Sequence, residues 1–181
     1  MKFLSKVATI VLGGSLLFTQ SPVKASSDHD RLWDSLEEVG VTILVNDPHF
    51  CLKNDIDGAY VPSAKVLVVC QDNASPMTSG EVQWTANDLD TLRHEAHHVV
   101  QDCLAGELGD KYSDLFFDNE EEFTEFVKGI LNERQIELIV ESYRSNGADD
   151  QRILMEIEAF AVASGISPDM IADAVTGLCE V

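Results

Sequence analysis

His94-Glu95-Ala96-His97-His98 constrains the fold of this chain more than any other stretch. It contains H-E-x-x-H, and its surroundings read as one helix. Four helical residues turn the chain by about 400°, so His94 and His98 stand one turn apart on one face, where both can ligate a metal ion. Glu95 then lies where a general base can act on water. Thr85 and Asp88 form a capping pair ahead of the run Leu89, Leu92, Ala96, Val99, Val100 and Cys103, which predicts the helix start. With His94 at zero, His98 and Gln101 fall within about 40° of it, and Leu92, Ala96, Val99 and Cys103 fall near the opposite side. The histidines are therefore off the apolar stripe. His97 also neighbours His94 at i, i+3. The i, i+4 pair leaves Glu95 in the working position, so His97 is expected on the flank, as a support behind the ligands or exposed.

The first 25 residues carry Lys2 and Lys6, an apolar run from Val7 to Phe18, and Val23-Lys24-Ala25 as a small-residue cleavage site. That pattern predicts a removable export signal and a secreted or periplasmic protein. The rest, 26–181, is expected to form one domain. Without Lys2, Lys6 and Lys24, 9 basic residues face 32 acidic ones, a net charge near −23. So acidic a surface repels nucleic acid phosphates and anionic membrane, and neither is an expected partner. Cys51, Cys70, Cys103 and Cys179 make an even set behind an export signal, which predicts disulfides rather than a metal cluster. The expected pairs are Cys51 with Cys70, across a turn-rich segment between strand-like runs, and Cys103 with Cys179, which would tie the C-terminus to the motif helix.

Leu32, Trp33 and Leu36 at helical spacing predict a short amphipathic helix over 31–38. The β-branched runs 41–45 and 65–70, with 59–61 between them, predict a small sheet. Asp57-Gly58 is a turn signal; the Asp55, Asp57 and Gly58 cluster lacks calcium-loop spacing. Residues 73–83 read as a polar loop. Helices are expected near 119–131, 133–145, 149–164 and 168–179. The acids Glu120, Glu121 and Glu122 suit the first turn of a helix and need no further role. The expected fold class is α+β: a small N-terminal sheet, the motif helix, then a helical C-terminal part.

Two histidines do not complete a catalytic zinc site, which has three protein ligands and an open position. Position 104 is Leu and no His follows His98, so the metzincin pattern is absent and an acid must serve. Glu156 and Glu158 lie in an otherwise apolar helix, where an unpaired charge is expensive; their helical neighbours do not separate the two. The chain here resembles the gluzincins, zinc peptidases with H-E-x-x-H on one helix and a Glu ligand on a later one. In ImmA/IrrE-type peptidases and the CAAX-type prenyl peptidases the later helix carries E-x-x-A, a pattern met by Glu156 and Ala159. The resemblance spans about 85–105 and 150–164 and implies that Glu156 is the third zinc ligand on a minimal zincin-like fold, in which an edge strand holds an extended substrate. The chain departs from the prenyl peptidases in having Phe160 where they carry Asp, and from thermolysin in lacking N-E-x-x-S-D.

These features predict a zinc metalloendopeptidase acting on peptide or protein substrates, with His94, His98 and Glu156 on Zn2+ and Glu95 as the catalytic base. A stabiliser for the oxyanion is expected, and Tyr143 or Tyr112 could serve. The alternative is a non-catalytic zinc-binding or interaction protein, against which the intact Glu95 argues.

Overall fold

The computed structural model describes residues 27–54, 56–75, 82–109 and 113–179. Residues 1–25, on which the expected export signal falls, Asp55, the middle of the 73–83 loop and Tyr112 lie outside them. Among the described residues, ten α-helices and strands follow in order: α1 (Asp30–Glu38), β1 (Thr42–Val45), α2 (Pro48–Asn54), β2 (Gly58–Val61), β3 (Val66–Val69), α3 (Ala86–Ala105), α4 (Glu120–Ile130), α5 (Glu133–Ser145), α6 (Asp150–Gly165) and α7 (Pro168–Leu178). The fold is α+β, as expected, with the sheet before the motif helix and four helices after it.

The sheet order is β1-β3-β2. β1 runs parallel to β3, with Ile43 opposite Leu67, and β2 runs antiparallel to it, with Ala59 opposite Val68. β3 is central, and its Leu67, Val68 and Val69 are fully buried, the unbroken apolar run expected of a strand covered on both faces. β2 is an edge. Asp57 O accepts from Cys70 N, so by strand alternation Ala59 faces β3 while Gly58 and Tyr60 turn their backbone groups to the free edge.

α3 starts where the capping pair places it. Asp88 N–H donates to Thr85 Oγ1 at 3.1 Å and Thr85 N–H donates to Asp88 Oδ2 at 2.8 Å. Leu92, Ala96, Val99, Val100 and Cys103 enter a core shared with α1, α7 and the sheet. A second cluster joins α4, α5 and α6 through Phe123, Val127, Ile139, Tyr143, Ile153 and Ile157. α6 packs on α3 and contributes to both. Arg93 reinforces that packing by donating Nε–H to Ala163 O at 2.8 Å, while its Nη1 lies 3.1 Å from His29 Nε2.

Both expected disulfides are present. Cys51–Cys70 fixes α2 to the end of β3, and Cys103–Cys179 fixes the end of α7 to α3. The helix α2 is the element that the sequence pattern does not foretell. Pro48 supplies its first turn, where a missing N–H costs nothing, and Asp47 Oδ1 accepts from His49 N–H. Seven residues are too few to display a helical period.

Candidate metal centre

α3 is buried on nearly every side, including its polar half: His94, Glu95, His97, His98, Gln101 and Asp102 are all buried. Buried polar side chains require partners, and α6 and β2 supply them. His94 Nε2 lies 3.2 Å from Glu156 Oε2, His98 Nε2 lies 3.4 Å from that oxygen, and the two Nε2 atoms are 3.1 Å apart. Three ligand atoms thus form a small triangle. Ligands at about 2.05 Å around a tetrahedral ion are separated by about 3.3 Å, so the triangle has the size of one face of that tetrahedron. Among the described residues, His94, His98 and Glu156 are the group able to hold a metal ion.

The side chains behind the triangle show which atoms present lone pairs. Gln101 commits its amide nitrogen to two acceptors, Met155 O at 3.0 Å and Glu158 Oε2 at 2.8 Å. Its carbonyl oxygen, 2.7 Å from His98 Nδ1, therefore accepts a proton-bearing Nδ1–H, which leaves His98 Nε2 as a bare lone pair aimed at the triangle. A bare nitrogen, a second imidazole nitrogen and a carboxylate oxygen crowd together without enough protons to join them all. A cation satisfies all three, so the residues present fit a metal. Burial opposes ionisation of Glu156, yet His98 and His94 outweigh it and hold its carboxyl well below the usual range. Phe160, where the prenyl peptidases carry Asp, packs against His94 with ring centroids 4.4 Å apart and the rings tilted by 59°, and His94 Nδ1 is buried without a hydrogen bond.

Glu158 occupies a different place from Glu156. Its Oε2 lies 2.9 Å from His97 Nε2, and its carboxylate accepts backbone N–H bonds from Phe116 at 3.0 Å and Phe117 at 3.3 Å. Burial depresses the His97 pKa, so a neutral imidazole donates Nε2–H. Burial works against the Glu158 charge, but the His97, Gln101 and Phe116 bonds prevail and keep it ionised. His97 is accordingly buried behind the ligands rather than exposed. The relay from His97 through Glu158 and Gln101 ends on His98.

Glu95 stands beside the triangle in a cleft also bounded by Gly58, Ala59 and Tyr60 of β2, Tyr143 of α5 and Arg152 of α6. Its carboxylate accepts from the Tyr60 backbone N–H, and burial pushes its pKa up to about 7, the Glu156 charge adding to the rise while His94, Arg152 and Tyr60 resist it. A carboxylate of that proton affinity suits transfer near neutrality, and a divalent cation beside it would draw the value down. Tyr143 lines the cleft, as its candidacy requires. Arg152 is a cleft residue that the sequence motifs do not single out. Its signal is the i, i+4 spacing to Glu156, which gains meaning only once Glu156 is placed. No protein-family model, curated protein sequence or solved structure significantly matches this chain.

Proposed function

We propose that this chain is a secreted zinc-dependent metalloendopeptidase of the gluzincin type. The observation that carries the reading is the His94–His98–Glu156 triangle with a buried, proton-accepting glutamate next to it in an open cleft. Two imidazoles and one carboxylate are the mixed N/O set that suits a catalytic zinc with one position left for water. When bound, zinc supplies Lewis acidity to water and to the scissile carbonyl.

The chain's own residues supply the rest. Glu95 takes a proton from the attacking water and passes it to the departing amine, and its hydrogen bond from Tyr60 N–H fixes the carboxylate in place for both transfers. With the Tyr60 N–H held by Glu95, the Gly58 backbone groups and the Tyr60 C=O remain along the free edge of β2 beside the cleft, which favours an extended peptide that adds as a strand. Tyr143 also lines the cleft, where it is the candidate donor to a developing oxyanion.

The test is hydrolysis of a generic peptide library by wild type and Glu95→Gln, each with and without chelator. Expected is chelator-sensitive cleavage by wild type, and loss of nearly all of it in Glu95→Gln, whose amide fills the same space but accepts no proton. Glu95→Gln should retain zinc. Wild-type cleavage rates in the variant would refute the mechanism, and zinc binding without cleavage by wild type would favour a non-catalytic zinc protein.

A further inference from the structure

Glu156 has two carboxylate oxygens, and its own chemistry does not decide whether one or both would serve an ion. Oε2 is the oxygen near His94 Nε2 and His98 Nε2. Oε1 has a different neighbour: Arg152 Nη2, one turn earlier on α6, at 2.7 Å. The contact is an ion pair without hydrogen-bond alignment, since Oε1 is buried and makes no hydrogen bond. Arg152 reaches it from the mouth of the cleft, with a side chain 43% exposed against 2% for Glu156. It is the one Arg or Lys among the described residues lining that cleft.

We infer that Arg152 is a positioning residue that holds Glu156 as a one-oxygen zinc ligand and so keeps a coordination position open. The inference rests on the zinc site proposed above. With two imidazoles and one water in place, a carboxylate binding through both oxygens would make the set five-coordinate and occupy the position into which a catalytic zinc expands. A guanidinium charge on Oε1 disfavours that mode, because a metal ion and a cation cannot both approach one oxygen closely without repulsion. The contact lacks hydrogen-bond alignment, so charge is what matters. A lysine can therefore replace Arg152, and a neutral glutamine cannot.

Visible absorption of the cobalt(II)-loaded protein reads coordination number, being intense for four ligands and several-fold weaker for five or six. Zinc equivalents bound, measured in parallel, report the site itself. Expected is one equivalent of zinc and a four-coordinate cobalt spectrum for wild type, a weakened spectrum for Arg152→Gln, and a spectrum close to wild type for Arg152→Lys. An unchanged spectrum in Arg152→Gln overturns the inference, as does an Arg152→Lys spectrum weakened to the same degree. If Arg152→Gln fails to fold by circular dichroism, Arg152→Lys decides alone, a wild-type spectrum supporting the inference and a weakened one overturning it. Absence of any metal uptake by wild type refutes the zinc site, and the inference with it.

Discussion

Glu156 and Glu158, two positions apart on one helix, differ in what their removal should do. Glu156 shares its Oε2 with the two histidine Nε2 atoms, whereas Glu158 binds His97, Gln101 and two backbone N–H groups. Glu156→Ala is therefore expected to lose most bound zinc. Glu158→Ala is expected to retain zinc with affinity weakened about 10- to 100-fold, the usual effect of disturbing a group behind a ligand. It should also destabilise the fold by about 3 kcal/mol or more, since several buried donors lose their acceptor. Metal analysis by plasma mass spectrometry and thermal unfolding by circular dichroism separate the two effects. Zinc lost from Glu158→Ala and kept by Glu156→Ala would reverse the assignment. Residue spacing makes both carboxylates visible in the sequence, but their helical neighbours do not tell them apart. The difference lies in contacts 41 to 62 positions away along the chain.

Among the elements, the closeness of β2 to α3 is set by Gly58. A Cβ there would sit 2.5 Å from Thr91 Cγ2, 2.9 Å from Val68 O and 3.1 Å from Glu95 Cγ. Gly58→Val must push the strand off the helix, at about 1–3 kcal/mol for such overpacking, and carries the Tyr60 N–H away from Glu95. Expected are a lower melting temperature and lower hydrolysis with zinc retained; unaltered activity would detach β2 from the mechanism. Gly129 is the contrast. It is exposed on α4, and a Cβ added there would meet nothing within 4 Å, so Gly129→Ala should raise stability by about 0.5 kcal/mol. Elements with local signals are legible from sequence: the Thr85 and Asp88 capping pair, and the acids Glu120, Glu121 and Glu122 in a first turn. The strand order, the edge status of β2 and the Tyr60–Glu95 contact are not, because each depends on packing between distant segments.

At the scale of the whole molecule, the two disulfides link elements that the chain separates by 19 and 76 positions. In the chain-entropy treatment these loops correspond to about 3 and 4.5 kcal/mol. Denatured, unreduced protein is expected to show no free thiol at the four cysteines. Reduction should lower the melting temperature, with Cys103→Ser/Cys179→Ser losing more than Cys51→Ser/Cys70→Ser because the longer loop is released and α7 is freed from α3. Equal losses would contradict the loop-length ordering. Among the described residues no helix is long and apolar enough to cross a membrane. The cysteine pairing is legible because strand-like runs and a terminal position leave few sensible partners. Above the disulfides in consequence stands the site that joins α3 to α6, and zinc-edge X-ray absorption of the zinc-loaded protein tests it most directly. A shell of two imidazole nitrogens with oxygen ligands, all at about 2.0–2.1 Å, is expected. Sulfur at about 2.3 Å, or fewer than two imidazoles, would contradict the assignment of His94, His98 and Glu156 as the ligands.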